Sequence, residues 1–489
     1  MPASGNQLAR VSLLLIALAL LCLPFADLAI YSVEPWTELS RMLSGVLRPD
    51  WSHWQILLQA IVQTVAFAIL AVAASSIIGL LLALWFHHRI IRVFCASTRS
   101  VHELFWGLIF MQVFGLSPLT GLLAIMVPFS GVFARVYAEI LERQSPLPGT
   151  TLPPTVDRLS RHAYTLLAQA WGELTSYTRY RFECALRSST VLGFIGLPTL
   201  GFYLETAFKQ GQYHEAAAML LLFFGLIASI RFWLRPVLIP IFLLLAVWVL
   251  PESPTVDSGY FWQFISRDIW PGALLAGDLV GTVQWYGQQL VQVAVPAVWD
   301  TLVLSQVALL LTGVLALFCY GWASKPLVVK PVYLLGHVLL LVMRSTPEMV
   351  FAFVLLLLFG PSGLPAVIAL ALHNGGLIAY LLAAKSDQLQ LREDAPKGLN
   401  LYLYELCPRL YSGFMALLLY RWEVIIRESA ILGILGLTTL GFYIDSAFED
   451  IRYDRALFLI VIAALLNIGV DSFARRLRRY CQLQSVAVS

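Results

Sequence analysis

Residues 179–206 read RYRFECALRSSTVLGFIGLPTLGFYLET, and residues 419–446 read LYRWEVIIRESAILGILGLTTLGFYIDS. The two stretches align without a gap. Arg181, Glu183, Arg187, Gly193, Gly196, Gly201, Phe202 and Tyr203 of the first recur as Arg421, Glu423, Arg427, Gly433, Gly436, Gly441, Phe442 and Tyr443 of the second. Both sit among long apolar runs, where a charged side chain at the centre of an inserted helix costs roughly 2.5–3.5 kcal/mol. Keeping three such residues twice, at one spacing, predicts a role at the centre of a bilayer. Each charged segment leads into a glycine-rich stretch that is able to break a helix. Broken helices at membrane depth persist only where protein or a water-filled cavity covers the freed backbone. The expectation is that the two copies line a pathway.

The composition agrees with a membrane chain. Of 489 residues, 59% are hydrophobic and 12% charged, against about 25% charged in soluble domains. Mean hydropathy is +0.78, and the apolar runs exceed the roughly 20 residues that cross a bilayer. The fold class is therefore all-α integral membrane. A net charge of +3, dispersed along the chain, argues against a nucleic-acid partner. Cysteines 22, 95, 184, 319, 407 and 481 form no CxxC pair and read as small core residues. The apolar stretch at 11–31 is long for a signal peptide and its cleavage site is poor, so it reads as an uncleaved first helix. No GxxxxGK[ST], HExxH or GxSxG pattern occurs, so no catalytic, cofactor or metal residue is assigned; His87-His88 reads as a cytoplasmic anchor.

Spans are expected at about 11–31, 56–86, 102–115, 119–140, 163–187 and 214–231, then at 236–250, 296–323, 333–359, 364–385, 409–428 and 455–472. HHRIIR (87–92), the polar stretch 141–162, RFWLR (231–235), Lys325, Lys330, the loop from Lys385 to Arg409 and RRLRR (475–479) mark the cytoplasmic side. Trp36, Trp51 and Trp54, and the tryptophans of an external insert at 251–294, suit the water–membrane boundary. Each half, 1–234 and 235–489, then crosses about six times and starts and ends inside. An even number of crossings makes the repeats parallel. Further pairs support duplication: RSVHEL (99–104) with RSTPEM (344–349), FGLSPLTG (114–121) with FGPSGLPA (359–366), and IVQTVAFAILA (61–71) with VWDTLVLSQVA (298–308). Arg99 with Glu103, and Arg344 with Glu348, stand at i, i+4, one helix face.

Taken together, these residues resemble the permeases of binding-protein-dependent ABC importers, in particular the phosphonate/phosphite type. The family's Arg-x-x-Pro-Glu segment is matched by Arg344–Glu348, its Tyr-Arg-Phe-Glu segment by Tyr180–Glu183 and Tyr420–Glu423, and its Arg-Ser-Ala-Thr-Val-Leu-Gly segment by Arg187–Gly193 and Arg427–Gly433. Its adjacent turn glycines are replaced here by Pro198-Thr199 and Thr438-Thr439. Its cytoplasmic coupling motif has a shortened likeness at 391–408, with Glu393, Asp394, Ala395, Gly398 and Pro408, and none legible between 143 and 165.

The resemblance implies a type I importer permease of about twelve helices with two repeats fused in one chain, resident in the bacterial inner membrane among its lipids. It implies a cytoplasmic ATPase dimer, which would hold ATP and Mg2+, and a periplasmic or lipid-anchored binding protein delivering a small oxyanion. The buried Arg/Glu sets read either as internal pairs that lock packing or, at Arg187 and Arg427, as oxyanion attractors. The glycine turns read as close-packing sites or as a gate that Tyr203 and Tyr443 plug. Residues 391–408 read as a plain connector or as the ATPase-docking segment. A secondary transporter driven through Glu183 and Glu423 is the alternative function. A lipid-modifying enzyme would need a paired catalytic motif that the sequence does not contain.

Overall fold

The computed structural model describes residues 5–31, 34–145, 147–153, 155–157, 160–161, 163–250, 258–429, 432–433 and 436–483. Every regular element among them is helical. A bilayer core offers the backbone no water, so each crossing segment must satisfy its own N–H and C=O groups, and a helix does this within one segment. Among the described residues, seven helices are long and apolar enough to cross a membrane, or up to nine if each of two bent pairs counts as one span.

The chain divides into two compact units. One comprises Met1–Ser52, Leu204–Ala228 and Asp257–Val486; the other comprises His53–Tyr203, Ser229–Val256 and Ala487–Ser489. In the unit built on His53–Tyr203, the helix Trp54–Leu84 packs along Pro118–Arg143 and Ala168–Val191, and Ile239–Val249 lies on it. Gly79 lets the first two approach, since a Cβ there would collide with Phe133. In the unit built on Asp257–Val486, Val295–Tyr320 packs along Gly363–Gln388 and Cys407–Ser429, and Gly5–Cys22 lies on it. Gln306 Nε2 donates to the Leu15 carbonyl at 3.2 Å, and the Ser12 and Tyr411 hydroxyls meet at 2.6 Å, fixing that first helix. Each core is thus covered by the leading helix of the other half of the sequence.

Several expected boundaries are corrected. The stretch 333–359 is not one helix: Lys330–Ser345 and Glu348–Phe359 meet at a 95° bend. Pro347 disfavours helical backbone at Thr346, which terminates the first of them. The basic loop HHRIIR instead opens the helix Arg89–Ser100, which is followed by a break and by Glu103–Phe114. At 12 residues, Glu103–Phe114 is about 18 Å long and too short to cross alone. The first helix ends at Cys22, with a 3-10 turn to Phe25 around Pro24, rather than near Tyr31. Residues 279–294 of the supposed external insert are helical and run unbroken into the next span, as Leu279–Ala323.

Candidate translocation site

In the His53–Tyr203 unit the charged segment lies on Ala168–Val191, which ends in a short 3-10 turn, Leu192–Ile195. Arg181 places its guanidinium carbon 4.0 Å from the centroid of the Phe129 ring. Arg187, half-buried, donates to Cys184 Sγ at 3.3 Å, and Glu183 is half-buried on the same helix. One residue beyond Arg187, the Ser188 hydroxyl donates to Glu103 Oε1 at 2.6 Å. Glu103 Oε2 stands 3.6 Å from His102 Nε2, while His102 Nδ1 accepts from the Leu104 N–H and so caps the helix after the break.

In the Asp257–Val486 unit the segment lies on Cys407–Ser429, and Arg421 and Glu423 are both buried. Arg421 Nη1 donates to Asn374 Oδ1 at 3.4 Å, and Asn374 Nδ2 donates to Glu428 Oε2 at 2.8 Å. Arg421 is the repeat of Arg181, and Asn374 occupies the register position of Phe129, two residues before Gly376 as Phe129 is before Gly131. The same arginine position is therefore held by a ring face in one unit and by an amide in the other. Arg427 is half-buried, as Arg187 is.

The glycine turns are built alike. Gly196 has φ +90° and Gly436 φ +86°, backbone that other residues rarely adopt. A Cβ on Gly193 would strike the Phe202 amide, and one on Gly433 the Phe442 amide. Gly201 lies against the Thr190 carbonyl, and Gly441 is buried in the equivalent place. The helix after each turn starts under a threonine: Thr64 Oγ1 accepts the Leu200 N–H at 2.9 Å, and Thr301 Oγ1 accepts the Leu440 N–H at 3.1 Å. Tyr203 and Tyr443 are half-buried and lie edge-on to Phe202 and Phe442, with ring centroids 5.4 Å apart in both pairs.

Residues 389–398 contain no helix: Glu393 and Asp394 form an exposed turn, Ala395 is half-buried, and Gly398 has φ +63°. A helical run then starts at Leu399, passes through a wider π turn at Tyr402–Leu406, and continues as Cys407–Ser429. Pro408 falls just after that turn, where its missing N–H suits the interrupted ladder. Glu405 is buried and holds Arg409 at 2.7 Å and Arg392 at 3.6 Å, so the exposed turn is tethered to the helix. Part of 143–162 lies outside the described residues.

Four residues of these arrangements were not evident from the repeat alone: Thr64, Thr301, Asn374 and Glu428. For Glu428 a signal exists, because it is the one acidic residue in the window whose partner, Ser188, is uncharged and lies beside a shared arginine.

The chain is 26% identical over 205 residues to the phosphite transport system permease protein PtxC of Stutzerimonas stutzeri, covering 40% of this chain and 74% of that protein. It is 22% identical over 433 residues to the phosphate-import permease protein PhnE of Mycolicibacterium smegmatis, covering 80% of this chain and 77% of that protein. It is 30% identical over 112 residues to the putative cryptic phosphonate transport system permease protein PhnE2 of Escherichia coli, covering 23% of this chain and 92% of that protein. No family model and no solved structure matches the chain.

Proposed function

The chain belongs to the phosphonate-type permeases of ABC importers, and from that premise we propose that it carries a small phosphorus oxyanion, phosphite or phosphonate, across the membrane. It is a multi-pass inner-membrane protein and does no covalent chemistry of its own. Systems of this kind work with an ATPase and a substrate-binding protein. Here we infer a cytoplasmic ATPase dimer that engages the exposed turn at Glu393 and Asp394 and the hinge at Gly398, and a periplasmic or lipid-anchored binding protein.

The observation that carries the reading is that one construction occurs twice. In each unit a buried or half-buried Arg-x-Glu-x-x-x-Arg segment leads into a glycine turn, and the next helix starts under a threonine hydroxyl. Arginine suits such a place, since its fixed fork of donors matches an oxyanion in two-point contact. We infer two parallel six-helix repeats, 1–234 and 235–489, giving about twelve crossings of the type I permease fold. The long match to the mycobacterial relative, which runs over most of both halves, supports that fusion. Transport would proceed by rocking one repeat against the other, with the glycine turns as the gate. ATP-driven closure of the partner shifts the population only as far as its contacts differ between the two states.

The test is uptake by vesicles holding the chain, its ATPase and its binding protein. ATP-dependent accumulation of labelled phosphite or phosphonate is expected, falling at least about tenfold, or 1.4 kcal/mol, on Arg187→Ala or Arg427→Ala. Accumulation driven by a proton gradient with no ATPase present would overturn the reading.

A further inference from the structure

The second unit holds a buried constellation that transport of an oxyanion does not call for. Glu348, His373 and Glu428 are all buried, and their nearest side-chain ligand atoms lie within 4.8 Å of one another. They come from three helices. Glu348 opens Glu348–Phe359 directly after the 95° bend, His373 lies mid-way along Gly363–Gln388, and Glu428 closes Cys407–Ser429.

The histidine's protonation pattern follows from the bend. Breaking the helix at Pro347 frees the Thr346 carbonyl from the ladder, and His373 Nδ1 meets that oxygen at 2.9 Å. A carbonyl only accepts, so Nδ1 carries the hydrogen there, and Nε2 faces the carboxylate of Glu348. That separation, 3.9 Å, is beyond the 3.2 Å limit of an N–H···O hydrogen bond. Zinc binds imidazole nitrogen and carboxylate oxygen at about 2.0–2.2 Å, so one ion reaches both groups after a contraction of a few tenths of an ångström.

The outer contacts are also those of a ligand set. A histidine that gives its far N–H to a backbone carbonyl is oriented and made more basic for an ion at the other nitrogen. Glu428 is held by Asn374 Nδ2 at 2.8 Å, while the amide's other hydrogen goes to the Leu370 carbonyl at 3.0 Å and its oxygen faces Arg421. The amide orientation is thereby fixed.

The other unit supplies the comparison. There Glu103 stands where Glu348 does, but Ser188 replaces Glu428, and its hydroxyl satisfies the carboxylate directly at 2.6 Å. Pro128 and Phe129 take the positions of His373 and Asn374. Both repeats set an imidazole Nε2 near this acid, from His102 at 3.6 Å in one and from His373 at 3.9 Å in the other; where the first has a hydroxyl, the second adds a carboxylate.

We propose that Glu348, His373 and Glu428 bind a divalent first-row transition ion, Zn2+ or Mn2+, which clamps the broken helix to its two neighbours. One nitrogen and two carboxylates suit those ions, and thiolate-seeking ions such as Cu(I) are disfavoured.

The test uses the full chain in lipid nanodiscs, with Zn2+ alone and Mn2+ alone as probes, and reads bound metal after dialysis together with Tm. It needs no transport, so its failure and that of the transport reading are separable. One equivalent of ion per chain and a Tm raised by that ion are expected for the unaltered protein. Glu428→Ser, which installs the residue that the other repeat already uses, and Glu348→Gln should lose the ion and the Tm response while staying monodisperse. Asn374→Ala should weaken binding by about 10–100-fold. Ser188→Ala, in the other repeat, should retain the full equivalent. An unaltered chain that holds no more Zn2+ or Mn2+ than Glu428→Ser, with Tm indifferent to both ions, overturns the proposal and leaves the three residues as a buried polar cluster.

Discussion

Thr64 accepts the backbone N–H of Leu200 at 2.9 Å while donating its own hydroxyl hydrogen to the Ala60 carbonyl at 2.7 Å. Thr301 does the same with Leu440 and Ala297, at 3.1 and 2.7 Å. A helix start leaves orphan N–H groups that need acceptors, and here the acceptor comes from the core helix rather than from the residue before. Thr301→Val and Thr64→Val keep the shape and remove the acceptor. Each is expected to lower stability by about 1–3 kcal/mol, the cost of a buried unsatisfied donor, while Thr→Ser at either place stays within a few tenths. Thermal unfolding in detergent reads the difference; unchanged stability for Val together with a loss for Ser would show that volume matters there and the hydroxyl does not.

The glycine turn sets a second expectation. Gly201 faces the Thr190 carbonyl and Gly193 the Phe202 amide, so an added methyl meets backbone that has no rotamer to yield. Gly201→Ala and Gly193→Ala should each lower stability by about 1–3 kcal/mol or more and reduce the yield of folded chain. Gly172→Ala and Gly225→Ala, where nothing lies within 4 Å of the new carbon, should be neutral or slightly stabilising. Size-exclusion profiles and melting curves of the four variants check it.

How much of this was legible depended on what recurs. Arg181 and Arg421, Gly193 and Gly433, and Gly201 and Gly441 keep their identity in both copies, so the segment and its turn stood out in the sequence. The partners do not keep theirs: Phe129 answers to Asn374 and Ser188 to Glu428, since different chemistries fill the same space. The break at Thr346 was hidden because long apolar runs flank it on both sides; the polar step Arg344–Glu348, with Pro347 in it, was its local mark. The matching break at Val101-His102 has no proline, and the helix before it, Arg89–Ser100, reads as a loop when only its basic start is weighed.

Arg181 and Phe129 offer a direct measurement. A guanidinium 4.0 Å from a ring centroid is a cation–π contact, worth about 0.5–2 kcal/mol depending on desolvation. Lysine keeps the charge and loses the planar stack. Arg181→Lys and Phe129→Leu are each expected to destabilise, and the double variant should fall short of their sum by about 0.5–2 kcal/mol, the coupling between neighbours in contact. Full additivity would mean that the ring only fills space beside the arginine.

The exposed turn at Glu393 and Asp394 and the hinge at Gly398 give the last expectation. At φ +63° and ψ −134°, Gly398 occupies backbone that is essentially reserved for glycine. Gly398→Ala should therefore re-aim the turn, at a strain of about 1–3 kcal/mol, without touching the membrane core. The buried Glu405 pairs with Arg409 on its own side of the hinge and with Arg392 across it, and Glu393 stands exposed beside Arg392. If this turn meets the ATPase, Gly398→Ala and Glu393→Ala reduce transport-coupled hydrolysis several-fold in an assembled complex. Glu405→Gln reduces it too, by loosening the tether, and that loss grows with salt as the remaining charges are screened. Co-purification of the ATPase with each variant, followed by hydrolysis with and without the binding protein, separates the outcomes. Normal coupled hydrolysis in both Gly398→Ala and Glu393→Ala would remove this turn from the contact.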